Sequence, residues 1–206
     1  ICGEFIDGIL AAALRMGECN ACMHCIVAAP TAGACGVLPA VLLPYGRRYE
    51  LPDDALIKAL YVASGFGAVI AQRASISGAE AGCQAEIGTA AAMAAAALVY
   101  LHGGSAVQMA NAAAMALKNM MGLVCDPVAG LVEVPCTKRN AAGAMNALCA
   151  AEMALAGIES RIPPDEVIDA MAAVGAALPS SLRETGMGGI AASPTAVKFR
   201  EEFFGQ

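Results

Sequence analysis

At 206 residues the chain is long enough for one domain with a substantial core and too short to expect two. Apolar residues make up 58% of it, aromatics only 4%, and Trp is absent, so the core must be Ala, Leu, Ile, Val and Met with backbones packed closely, which favours helices. Twelve basic against eighteen acidic residues give a net charge of -6, and no stretch gathers Lys or Arg into a phosphate-neutralising stripe, so nucleic acid is excluded as an expected partner.

The chain reads as a succession of helices punctuated by Gly and Pro. The first is predicted over 4–16. A second is predicted over 21–28, where "CNACMHCIVAA" has no glycine to turn the backbone. A third spans 34–43 after "APTAG", and a fourth 53–72, with Asp53 and Asp54 at its positive amino end. Helices over 83–101, 104–120, 138–157, 164–176 and 195–204 follow, and Pro164 with Asp165 and Glu166 marks a strong start. No segment alternates with β-branched residues, so the expected fold is all-α, a compact single-domain helical bundle over 1–206. The mean hydropathy of +0.63 raises the possibility of a membrane span. The best run, Ile87 to Leu101, falls short of the roughly 20 strongly apolar residues a span requires and is mostly Ala, so a core helix and no membrane are expected. The chain opens on Ile1 with no signal peptide, which predicts a fragment of a longer polypeptide in the cytoplasm.

Nine cysteines fit that reducing compartment, where thiols stay free or bind metal. Cys2 and Cys149 lie in apolar or Ala-rich helical surroundings and are expected to be core. Two sets remain. Cys19, Cys22 and Cys25 form a C-x2-C-x2-C run, the opening of a ferredoxin-type loop, but Ala29 occupies the fourth ligand position. On a helix these three spread over about 120° of one face, which suits a buried contact surface. Cys83, Cys125 and Cys136 instead lie beside Gly or Pro in separate loops, the last two in a 19-residue connection from Gly122 to Asn140. Three thiolates around a four-iron cluster leave one iron open for Lewis-acid chemistry. On spacing alone, three unrelated buried thiols explain the second set equally well.

The phrases "APTAGACGVLPAVL" (29–42), "GCQAEIGTAAAMAA" (82–95), "GLVCDPVAGLVEVPCTKRNAAGAMNA" (122–147) and "RETGMGGIAASPTAVKFREEFFG" (183–205) closely resemble the α subunit or α domain of bacterial iron–sulfur L-serine dehydratase. The resemblance runs from about Asn20 to the end. It implies a [4Fe-4S] cluster acting as a Lewis acid, without pyridoxal phosphate, in the conversion of L-serine to pyruvate and ammonia. It places the three ligands on Cys83, Cys125 and Cys136 and makes the C-x2-C-x2-C run a local peculiarity. Residues 1–19 show nothing like the family's additional amino-terminal segment. The ending resembles the two-subunit form, which implies a separate β subunit in a homo- or hetero-oligomer.

Around that predicted cluster, Lys138 and His102 are the candidate catalytic bases. Arg139 suits the fork of the serine carboxylate, and Thr31, Gly33 and Asn140 are further candidates for substrate binding. Glu86, one turn after Cys83, is a candidate for orienting the ligand loop. Surface charge, turn and cap roles explain these residues equally well. Two other readings stay open at this point: an L-cysteine desulfidase on a similar scaffold, and a non-catalytic iron–sulfur or metal-binding protein centred on Cys19, Cys22 and Cys25.

Overall fold

The computed structural model describes residues 1–205, and nine α-helices order these residues with no β-sheet. They are α1 (Glu4–Ala21), α2 (Val37–Arg48), α3 (Asp53–Arg73), α4 (Gly78–Ala81), α5 (Cys83–Leu101), α6 (Ala106–Asn119), α7 (Cys136–Leu155), α8 (Pro164–Ala177) and α9 (Pro194–Phe204). Helix α5 is the axis, with α2, α3, α6 and α7 packed around it. Its alanines, Ala90–Ala92 and Ala94–Ala97, are fully buried. Alanine is the best helix former, and its single methyl lets neighbouring backbones close in. Ile87, Leu98 and Val99 supply larger volume, each contributing about 1.5–3 kcal/mol of apolar burial. Gly143 of α7 marks the closest approach, since a Cβ there would lie 2.8 Å from Ile87 Cγ2.

Local signals set several ends. Ser105 and Gln108 form a reciprocal capping box on α6. Ser193 caps α9 ahead of Pro194, and Gly205 closes that helix in the left-handed conformation.

The predicted helix over 21–28 does not form. Helix α1 instead runs through Gly17 to Ala21 and stops where Met23 turns left-handed, with the His24 N–H donating to Cys19 O at 2.9 Å. Gly17 is no breaker: it is the contact with α7, where a Cβ would meet Thr137 Cα at 3.0 Å. The expected buried cysteine stripe is therefore absent, for Cys22 and Cys25 are exposed and Cys19 half-buried. Cys2 and Cys149 are also exposed rather than core. Cys149 sits about 200° around α7 from the buried Ala147, so the same helix turns it outward. Helix α2 continues through Pro44, and α7 begins at Cys136, which shortens the long connection. By length and composition α3 and α5 are both long and apolar enough to cross a bilayer, and the apolar window of α5 extends beyond the run counted from Ile87. Almost all of the α5 window is enclosed by the other helices, and α3 contributes Ala59, Ala63, Gly67 and Ile70 to the core.

Candidate active site

The site lies where the amino ends of α5 and α7 meet two loops. Cys83 is the first residue of α5, after Gly82 at φ 77°. A side chain on Gly82 would meet both Leu123 O and Leu178 Cδ1 at 2.8 Å. The next residue, Gln84, is fully buried and fastens the connection from α6 against this turn. Its Oε1 accepts the Gly122 N–H at 2.8 Å, and its Nε2 donates to Ala81 O at 2.9 Å and Met171 O at 3.2 Å. Its backbone N–H donates to Leu123 O at 2.9 Å.

That fastening brings Cys125 beside Cys83. Cys125 makes an isolated parallel bridge with Arg183, its N–H donating to Leu182 O at 2.9 Å and its carbonyl accepting the Glu184 N–H at 2.8 Å. The following Asp126 is buried, its Oδ2 accepting the Ile190 N–H at 2.8 Å and its Oδ1 lying 2.8 Å from Arg139 Nη2. Cys136 opens α7 on the far side. One helical turn later Asn140 binds that helix to the Thr31–Gly36 loop: Nδ2 donates to Gly33 O at 2.7 Å and Cys136 O at 2.9 Å, and Oδ1 accepts the Gly36 N–H at 2.8 Å.

Cys83, Cys125 and Cys136 are 1%, 3% and 7% exposed. The Sγ atoms of Cys83 and Cys125 and a carboxylate oxygen of Glu86 lie within 4.8 Å of one another. Cys125, Cys136 and Glu86 open with Thr31 and Glu184 onto one cavity of about 280 Å³. Thr31 Oγ1 donates to Glu86 Oε1 across it.

The electrostatics of this group are those of a crowded donor set. A hydrogen bond from Cys125 holds the Cys83 thiol below its ordinary value, aided by Arg139 and opposed by burial. Giving that hydrogen bond, together with burial, pushes Cys125 up. Burial pushes Cys136 up to about 12, assisted by the negative charges of Cys83 and Glu86. Burial also raises Glu86, against the lowering hydrogen bond from Thr31. By itself the protein does not favour ionising all three thiols in one buried volume, whereas a cationic soft centre accepts all three as thiolates. The donor set therefore fits an iron–sulfur cluster with three protein sulfurs.

The other candidate residues divide by position. Thr31 faces the cavity, and Gly33 lies against Glu86, where a Cβ would stand 2.7 Å from Oε1. Asn140 is 1% exposed and both ends of its amide are occupied, so it clasps two loops and has no free group for a ligand. Arg139 is likewise engaged, donating to Val124 O at 2.9 Å, pairing with Asp126 and reaching Cys83 Sγ at 3.6 Å. It braces the ligand loop and does not line the cavity. Lys138 is exposed, about 200° around α7 from Cys136. His102 caps the opposite end of α5, roughly 28 Å along the helix from Cys83, with Nδ1 3.0 Å from Tyr45 Oη. Neither Lys138 nor His102 adjoins the cysteine group. Sequence reasoning missed Glu184, Gln84 and Asp126, whose signal lay in the family phrases around them.

An all-helical domain that brings Cys83 and Cys125 together with Glu86, and opens Cys136 onto the same cavity as Cys125 and Glu86, has a donor set able to hold a metal centre. Residues 1–191 match the family described as serine dehydratase alpha chain. The chain is 54% identical over 203 residues to the probable L-serine dehydratase, alpha chain, of Bacillus subtilis, covering 98% of this chain and 68% of that one. It is 48% identical to the L-serine dehydratase, alpha chain, of Peptoniphilus asaccharolyticus over 98% of this chain and 70% of the relative. L-serine dehydratase 1 of Escherichia coli is 44% identical over 90% of this chain, which spans 41% of that longer protein. The chain belongs to the serine dehydratase alpha chain family, a family of lyases.

Proposed function

We propose that this chain is the cluster-bearing component of an L-serine dehydratase that converts L-serine to pyruvate and ammonium without pyridoxal phosphate, acting in the cytoplasm with a separate β chain. The observation that carries this reading is the convergence of Cys83, Cys125 and Cys136 from three separate elements beside the Glu86–Thr31 pair. A [4Fe-4S] cluster held by those three cysteines would supply a Lewis acid, through an iron lacking a fourth protein sulfur, for the departing hydroxyl.

The chain's own residues provide the remaining parts. Glu86 is a carboxyl group held inside the cavity wall, in reach of the proton that leaves serine Cα. The Thr31 hydroxyl fixes one of its oxygens. Arg139 and Asp126 brace the backbone between the first two ligands, and Asn140 holds the third in register with Thr31. Loss of the proton and of hydroxide from serine leaves aminoacrylate. This tautomerises to the imine, and water then gives pyruvate and ammonium.

The test is anaerobic reconstitution of two triple-alanine variants, one lacking Cys83, Cys125 and Cys136, the other Cys19, Cys22 and Cys25. Iron, sulfide and EPR spectra are measured first, then pyruvate formation from L-serine and sulfide release from L-cysteine in the presence of the β chain. The expected result is cluster loss only in the first variant and turnover of serine by the second. A cluster retained without Cys83, Cys125 and Cys136 would overturn the assignment.

A further inference from the structure

We propose that Glu184 binds the α-ammonium group of the substrate, and so restricts the site to amino acids. This rests on the serine reading above. Glu184 sits immediately after the bridge between Arg183 and Cys125, and its N–H is bonded to the Cys125 carbonyl at 2.8 Å. Its place is therefore tied to a residue that holds the reactive centre. Its φ is +65°, a conformation that glycine adopts freely and a residue with a Cβ resists. Gly186 and Gly189 take the same region nearby, yet position 184 carries a charged side chain. Backbone strain kept at a site wall beside a ligand loop places that side chain where chemistry can use it.

The charge around the cavity selects the ligand group. Its wall carries two carboxyl groups, Glu86 and Glu184, and no Lys or Arg. Arg139, the nearest guanidinium to the thiols, is engaged by Asp126 and Val124 O. The ion pairs among the described residues involve Lys58, Arg73, Arg139 and Lys198, and none includes Glu184. A wall of this composition repels a free carboxylate and accepts a cation. In serine the ammonium and the leaving hydroxyl are on adjacent carbons, so the ammonium partner must stand close to the ligand cysteines. Glu184 meets that demand through its bond to Cys125. The two carboxyl groups then divide the work by position: Glu86, in the wall beside the thiols, faces the proton on Cα, and the exposed Glu184 faces the ammonium.

The experiment compares reconstituted wild-type enzyme, Glu184→Gln and Glu184→Asp, each assembled with the β chain. The readouts are KM and kcat for L-serine, inhibition by 3-hydroxypropionate, which is serine without the ammonium, and iron content with the EPR spectrum. Losing a charge-assisted hydrogen bond raises KM about 10- to 100-fold in Glu184→Gln. With it, kcat stays within about threefold, 3-hydroxypropionate inhibition is unchanged or tighter, because a repelling charge has gone, and iron content is unchanged. Glu184→Asp recovers part of the affinity. A KM within about twofold of wild type, or equal weakening of serine and 3-hydroxypropionate, overturns the assignment. Loss of iron in Glu184→Gln also overturns it, because Glu184 would then be support for Cys125. A wild-type complex that carries the cluster but leaves serine unchanged overturns the dehydratase reading and this assignment together. Failure of the variants alone, against active wild type, touches only Glu184.

Discussion

Replacing Asn140 by alanine tests how the two halves of the site are held together. Among the described residues, Asn140 is the single side chain hydrogen-bonded to both the Thr31–Gly36 loop and the start of α7. In Asn140→Ala the Cys136 carbonyl keeps its place in the helical ladder, but the Gly36 N–H and Gly33 carbonyl are left without this partner in a buried region. Each orphaned group costs about 1–3 kcal/mol, so the expected loss is about 2–6 kcal/mol. At about 2–4 °C per kcal/mol for a chain of this size, a mid-range loss of about 4 kcal/mol lowers Tm by about 8–16 °C. Urea unfolding of the metal-free protein measures it. Asn146→Ala serves as a control: Asn146 is half-buried, bonded to Ala116 O and Asn119, ten residues along α7 from Cys136, and should lose about 1 kcal/mol. A loss below about 1 kcal/mol for Asn140→Ala would refute the claim that this amide clasps the loop to the ligand helix.

Other consequences follow from the same geometry. Gly143→Ala drives a methyl to 2.8 Å from Ile87 Cγ2 and 3.0 Å from Val37 Cγ2, so it should cost about 1–3 kcal/mol in thermal or urea unfolding. Burial raises the Glu86 carboxyl in the folded state, so its favourable contribution is complete below its unfolded pKa and is lost as pH rises through the folded one. The stability difference between metal-free wild type and Glu86→Gln should therefore move against the wild type as pH rises from acid; a pH-independent difference would contradict this. Lys138→Met removes an exposed charge turned away from Cys136 and should leave kcat within about twofold in the pyruvate assay.

The helical architecture was legible because its signals are local: alanine-rich runs, Pro164 with its acidic neighbours, and glycine at the turns. Where those signals carry two meanings, the reading failed. The first helix, expected over 4–16, continues through Gly17, because glycine also permits close packing and here admits Thr137 of α7. The helix expected over 34–43 starts later and runs on to Arg48, passing through Pro44 at the loss of one backbone hydrogen bond. Cys22 and Cys25 were given to a buried stripe because no glycine follows them, while the turn is made by Met23 in a conformation its residue type does not announce.

The site was legible only in part for a related reason: spacing along the chain orders its residues, but distance through the fold decides which can act together. His102 follows the cysteine-bearing helix directly in sequence, and that same helix carries it to the opposite end of α5 from Cys83. Arg139 lies three residues after Cys136 in sequence, and its pairing with Asp126, thirteen positions away, keeps it out of the cavity lining. Glu184 shows the reverse. It is 59 residues from Cys125 along the chain and bonded to it in space, through a bridge of two backbone hydrogen bonds that leaves no periodic pattern. Long-range backbone pairing of this kind is invisible to side-chain spacing, because any residue type except proline can donate the N–H. What the sequence does carry there is the cluster of glycines after Glu184, which lets the chain make the tight return that sets the carboxyl group against the cavity.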